Sequence, residues 1–316
     1  MSAKSTENPQ KNSHILVIKL GALGDFIQAL GPMKAIRGHH LEARITLLTT
    51  HGFKNFAEQS GYFDQIIIDT RPKFYQILSW INLRKKLNLE KFTRVYDLQN
   101  NDRTQIYFNL FSPKPEWVGV AKGASHRNTS PERTNGLAFN GHVQTLQKAG
   151  IENIEIDQLD WIKGNLAQFN LPTSFALIVP GSAPSRPEKR WSVENYINIC
   201  QNIIQQGITP VILGTSDERN VTDSIKKSCP DSINLGGKTN LFDIAVLAQN
   251  AKFSVGNDTG PMHMIAPTGC KTIVLFSEHS NPKRHAPLGE NVVTIQKNDL
   301  KNLDPKDVLE KINSFS

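Results

Sequence analysis

Short apolar runs alternate with helix-period segments along most of this chain, and the alternation happens twice. In the first half, strands are predicted at His14 to Leu20, Arg44 to Thr49, Gln65 to Asp69 and Arg94 to Leu98, with helices near Leu23 to Arg37, Tyr75 to Leu87 and Gly136 to Lys148. In the second half, strands are predicted at Phe175 to Val179, Thr209 to Leu213, Ser232 to Leu235, Lys252 to Val255 and Thr272 to Phe276, with helices near Val193 to Gln206, Asp217 to Ser228, Leu241 to Gln249 and Pro261 to Pro267. Near-continuous apolar strands joined by helices require parallel sheets covered on both faces. Each half therefore predicts a doubly wound, Rossmann-like α/β domain. The expected division is a disordered tail at residues 1–13, a first domain at 14–165 and a second at 166–316. The linker is expected between Asp157 and Ser174, where the periodicity weakens and Pro172 precedes a new buried strand. In such sheets ligands bind beyond the carboxyl ends of the strands, so two domains facing each other would line a cleft.

Composition narrows the class further. The 316 residues are 38% hydrophobic and 21% charged, and no apolar run approaches the roughly 18 residues of a membrane span. The polar residues 1–13 hold no apolar stretch that would make a secretory signal. Cys200, Cys229 and Cys270 are odd in number and far apart, which suits free thiols in a cytoplasmic protein. The net charge of +7 is concentrated in the first half: residues 71–133 carry 12 Lys and Arg against 5 Asp and Glu, including Arg84-Lys85-Lys86. Such a stretch either attracts a phosphorylated ligand, nucleic acid or an anionic membrane surface, or is a set of solvated lysines. A nucleic-acid role would rest on charge alone, since no recognised module accompanies it.

Four strand ends carry candidate chemistry. Val255-Gly256-Asn257-Asp258-Thr259-Gly260-Pro261-Met262-His263 reads as a strand entering a loop that opens a helix, with Asp258 or Thr259 as N-cap. The unpaired N–H groups and partial positive charge of a helix start suit a phosphate, and Gly260 permits close approach; the plainer alternative is a capped turn. His263, about one turn into that helix, either reaches the anion or packs as a neutral core histidine. At the first strand end, Lys19-Leu20-Gly21-Ala22-Leu23-Gly24-Asp25 lacks the G-x-G-x-x-G dinucleotide spacing. Gly21 and Gly24 allow close approach to a ligand, and Asp25 is either a general base for a bound hydroxyl or an ordinary acid at a helix start. The loop from Gly181 to Trp191 is rich in Gly, Ser, Pro and bases, and its Lys189 and Arg190 precede a helix where they would neutralise a diphosphate. Thr215-Ser216-Asp217-Glu218 follows another strand and suits a base or ribose. No metal ligands are visible and no cofactor is expected.

These residues together resemble a known family. The Lys19 to Asp25 turn, the Lys189-Arg190-Trp191 loop, the Gly256 to His263 element and the later Pro282, Arg284 and Pro287-Leu288-Gly289 are similar, in order, to the bacterial lipopolysaccharide heptosyltransferases of glycosyltransferase family 9. The resemblance implies a GT-B fold with the acceptor held by the first domain and a nucleotide sugar by the second. It also implies an inverting, metal-independent transfer. Asp25 takes the position of the catalytic base, and Lys189 that of the phosphate-binding lysine. Asp258, Thr259, Gly260 and His263 match the donor loop, while Ser182 and Gly24 fall near its phosphate- and substrate-contacting positions. The implied donor is ADP-heptose and the implied acceptor an anionic core or related cell-envelope glycolipid at the cytoplasmic face of the inner membrane. The alternative is a nucleotide-sugar-binding or scaffold protein of the same fold without turnover.

Overall fold

The computed structural model describes residues 13–315, so the tail expected at 1–13 lies, but for Ser13, outside the described residues. The chain divides into two compact units, residues 1–155 and 156–316. The expected boundary at 165/166 falls later than this division. Residues 156–165 belong to the second unit, where the Gln249 side-chain amide donates to the carbonyls of Leu159 (3.2 Å) and Ile162 (3.3 Å).

The first unit runs β1 (His14–Ile18), α1 (Leu23–Gln28), α2 (Leu30–His39), β2 (Arg44–Thr49), α3 (Lys54–Ser60), β3 (Gln65–Ile68), α4 (Ile77–Leu89), β4 (Arg94–Asp97), α5 (Asp102–Leu110), β5 (Glu116–Gly119), β6 (His126–Arg127) and α6 (Ala138–Gln147). Its six strands are all parallel, in the order β3-β2-β1-β4-β5-β6. The single helix expected from Leu23 to Arg37 is broken at Ala29. Pro32 has no N–H to give to Gln28 four residues back, and its ring crowds that carbonyl. On one face of the sheet Leu16, Ile18, Leu48, Val95 and Trp117 pack against Leu83, Leu87, Tyr107 and Phe108 of the covering helices.

The second unit runs β7 (Phe175–Val179), α7 (Val193–Gln205), β8 (Thr209–Ile212), α8 (Arg219–Ser228), β9 (Ile233–Asn234), α9 (Leu241–Asn250), β10 (Ser254–Asn257), α10 (Gly260–Ile265), β11 (Thr272–Phe276), α11 (Pro282–His285), β12 (Val292–Gln296) and α12 (Pro305–Asn313). Its order, β12-β11-β10-β7-β8-β9, is also all-parallel and repeats the first unit's order when read from the other edge. Every residue of β7 and β11 is buried, which is why both read as unbroken apolar runs. Both sheets reverse winding direction at one place, between β1 and β4 in the first unit and between β7 and β10 in the second. A crevice opens beyond the carboxyl ends of the strands at such a switch point.

Candidate active site

Three of the four loops singled out in the sequence follow β1, β7 and β10, three of the four strands that flank the two switch points, and the fourth follows β8. In the first unit the chain leaves β1 through Lys19, whose buried ammonium donates to the Leu98 carbonyl at the end of β4 (3.0 Å). The Leu20 N–H donates to Gln99 Oε1 (2.8 Å), so two bonds tie the β1 and β4 exits together. Gly21 sits at φ +109°, and a Cβ there would lie 2.7 Å from the Phe53 ring, so the turn requires glycine. Gly24 and Asp25 then fall in the first turn of α1, with the Asp25 carboxylate exposed.

Near Lys19, whose charge both Asp25 and Asp97 feel, lies a buried polar group that the sequence did not assign. Asp97, the last residue of β4, is fully buried; its Oδ1 accepts from the N–H groups of Gln99 (3.0 Å) and Asn100 (2.8 Å), and its Oδ2 has no hydrogen-bond partner. Burial pushes its carboxyl up to about 6, against the pull of those N–H groups, the Thr104 hydroxyl and Lys19. Burial likewise lowers Lys19 to about 8, partly offset by the charges of Asp25 and Asp97. His142 on α6 is held well below the usual histidine range by burial and by Lys19, so it is neutral at pH 7. A charged residue closing the apolar run Arg94 to Leu98 was the available signal for Asp97.

In the second unit a basic loop and a helix start meet. Lys189 Nζ lies 2.6 Å from Asp258 Oδ2, an oxygen that also accepts from the Ser280 hydroxyl (2.6 Å). The ammonium is thereby fixed at the exit of β10, one residue before Thr259 and the start of α10. Thr259 is the N-cap of α10 in extended conformation, and its hydroxyl caps no N–H. Gly260 opens the helix, Pro261 follows it in the first turn, and His263 lies half-buried in the next. Ser182 is buried, and its hydroxyl is engaged within the loop, donating to the Arg186 carbonyl (2.9 Å) and accepting from Arg190 Nε (3.1 Å). Arg190 Nη2 also reaches the Ser182 carbonyl (2.9 Å), so Ser182 orients this guanidinium.

Two further residues complete this end of the sheet. The buried Asn257 side chain accepts from the Trp191 N–H (3.1 Å) and the Tyr196 hydroxyl (2.9 Å) and donates to the Pro180 carbonyl (2.7 Å), locking the β7 loop to the β10 exit. Among Thr215 to Glu218, it is Glu218 whose carboxylate turns inward: it accepts from the Thr215 N–H (2.8 Å), and a Cβ on Gly181 would lie 1.8 Å from its Oε1. Gly181 is thus the space that admits this carboxylate. Sequence spacing does not reveal either contact, because the partners are distant in the chain. Among the described residues no group of three or more His, Cys, Asp and Glu side chains is placed to hold a metal ion.

Against this geometry, the family model of glycosyltransferase family 9 (heptosyltransferase) matches residues 128–313. The lipopolysaccharide core heptosyltransferase OpsX of Haemophilus influenzae is 22% identical over 308 residues, covering 92% of this chain and 86% of its own. Among solved structures, the glycosyl transferase family 9 protein of Veillonella parvula superposes with a TM-score of 0.82 at 18% identity, over 96% of this chain and 97% of that one. The Escherichia coli heptosyltransferase WaaC, solved with ADP, gives 0.75 at 18% identity over 96% and 100%. These structural likenesses, with the two parallel six-stranded sheets, give the chain the GT-B fold.

Proposed function

Since the chain belongs to glycosyltransferase family 9, the heptosyltransferase family, and so is a glycosyltransferase, we propose that it transfers a heptose from ADP-heptose onto a lipopolysaccharide-core or related cell-envelope glycolipid, with inversion and with Asp25 as general base. An acceptor hydroxyl attacks the anomeric carbon, its proton passes to the Asp25 carboxylate, and the bond from that carbon to the diphosphate breaks, releasing ADP. The diphosphate gains charge as it leaves, so donors fixed beforehand around it lower the barrier. Lys189, Arg190, the Thr259 hydroxyl and the Gly260 N–H at the start of α10 serve this role, with Gly260 allowing close approach. Glu218 beside Gly181 is suited to accept from the ribose hydroxyls, and His263 borders the same loop. Transfer with one base needs no second catalytic carboxylate of the glycoside-hydrolase kind.

The observation that carries this reading is the fixed Lys189 ammonium, held by Asp258 next to an N-cap whose hydroxyl is unspent. The first unit, with its basic stretch from Arg71 to Arg133, would hold the anionic acceptor. We place the enzyme in the cytoplasm, in peripheral contact with the inner membrane; among the described residues no helix is long and apolar enough to cross it.

A thermal-shift panel of ADP-, GDP-, UDP- and CMP-sugars tests the donor assignment. A ligand at about 100 times its dissociation constant adds about 2.7 kcal/mol to the folded state, a shift of several degrees. ADP-heptose is expected to raise the midpoint selectively, and Lys189→Ala, compared with its own unliganded midpoint, is expected to lose most of that rise. A selective response to another nucleotide, or an undiminished response in the variant, would overturn the assignment.

A further inference from the structure

Helix α4 is apolar on two sides. Its inward stripe, Leu83 and Leu87 with Trp80 half-buried, follows the helical spacing of three and four residues and packs into the first unit's core. A second set points outward. Ile77, Leu78 (76% exposed), Ile81 (54%) and Leu89 stand in solvent, and Phe74 (89%) and Tyr75 just before the helix continue the patch. Scattered surface apolar residues are ordinary, whereas six large ones within a sixteen-residue span, residues 74–89, form a contiguous feature. The segment that presents the two aromatic rings is braced: Trp80 Nε1 donates to the Lys73 carbonyl (3.1 Å), the Lys73 N–H donates to Gln76 Oε1 (2.7 Å), and the Phe74 and Tyr75 rings meet edge to face at 5.3 Å.

Charge identifies the occupant. Residues 71–89 contain five Lys and Arg and no Asp or Glu. Lys85 lies within the outward apolar face, Arg84 and Lys86 flank it, and all three are exposed. We propose that the outward face of α4 with Phe74 and Tyr75 docks on an anionic lipid bilayer. A helix that buries one apolar stripe in its own domain and turns a second to solvent rests that second stripe among the acyl chains, its Lys and Arg stems reaching the headgroups. A protein partner would satisfy the apolar side chains equally, but it would not by itself call for five cations without one acid; an anionic leaflet does. Arg71, at the start of the segment, donates through Nη2 to the Leu20 carbonyl (2.5 Å). The docking face is therefore tethered to the turn that presents Asp25, which is where a membrane-embedded acceptor would be needed.

The inference deepens the acceptor class proposed above, and its test uses neither donor nor acceptor, so the two readings fail separately. The intact protein is co-sedimented with phosphatidylcholine vesicles with and without phosphatidylglycerol, alongside the variant Phe74→Ser/Leu78→Ser/Ile81→Ser and the charge variant Arg84→Glu/Lys86→Glu. Wild type is expected to bind only the anionic vesicles, more weakly at high salt. Each variant is expected to lose affinity by about tenfold or more with an unchanged melting midpoint. Equal binding by wild type and variants, or no binding by wild type, would overturn it. A wild-type dimer that the serine variant dissociates, without vesicle binding, would assign the face to a second copy of the chain.

Discussion

Asp97 is an expensive residue to keep. Its carboxyl is pushed up to about 6 in the folded protein, against an ordinary 3.8, because burial penalises the charge more than its hydrogen bonds and Lys19 favour it. The sign follows from linkage: between about 4 and 6 the unfolded chain has already released a proton that the folded chain retains, so stability falls as pH rises through that window and levels off above it. The fall is worth up to about 3 kcal/mol, at about 1.4 kcal/mol per tenfold change in proton affinity. Asp97→Asn keeps an oxygen for the Gln99 and Asn100 N–H groups and removes the titration. Urea denaturation at several pH values is expected to show the variant gaining on wild type from pH 4 to 6 and holding a constant lead above it; parallel curves would contradict the assignment. Asp25, Lys189 and Asp258, which carry the proposed roles, stand out in the sequence as charges in loops that follow apolar runs. The pairing of Lys189 with Asp258, the inward turn of Glu218 and the role of Asn257 were not legible there, since each depends on contacts between loops that only the fold brings together.

The central strands were the most legible elements, because burial on both faces leaves unbroken apolar runs, as in β1, β7 and β11. Two of the four edge strands escaped, while β3 and β9 were expected: β6 has two residues, His126 and Arg127, and β12 is only partly buried. β5, α3, α5 and α12 were also missed, the three helices being short and mostly polar in sequence. Between elements, the junction of β10 with the β7 loop depends on Asn257. Asn257→Ala leaves the Trp191 N–H and the Pro180 carbonyl without their partner in a buried setting, and the Tyr196 hydroxyl with only its longer bond to the Val179 carbonyl (3.5 Å). At about 1–3 kcal/mol for an unsatisfied buried group, with partial relaxation, the loss is expected to be about 3 kcal/mol or more. Thermal unfolding measures it, and a change under 1 kcal/mol would mean that the junction is held by packing alone. Gly256 is constrained at the same place, since a Cβ would lie 2.7 Å from that of Val179.

The two units share one strand order, and the duplication is visible in the sequence as a repeated alternation. The division between them was less so, because residues 156–165 lack periodicity and are claimed by the second unit through backbone carbonyls that Gln249 binds. The roles proposed for the units differ in charge as well as in motif: the excess of basic residues sits in the first, where the acceptor is proposed to bind, and the lysine proposed to hold the diphosphate sits in the second. The decisive measurement follows heptose transfer from ADP-heptose to a heptose-free core glycolipid by mass spectrometry, comparing wild type with Asp25→Asn. Wild type is expected to add one heptose per acceptor, and the variant to fall by about 100-fold or more, the usual contribution of a general base, while keeping the donor-induced rise in melting midpoint. Transfer by Asp25→Asn at the wild-type rate would contradict the proposed mechanism, and no transfer by wild type would contradict the proposed substrates.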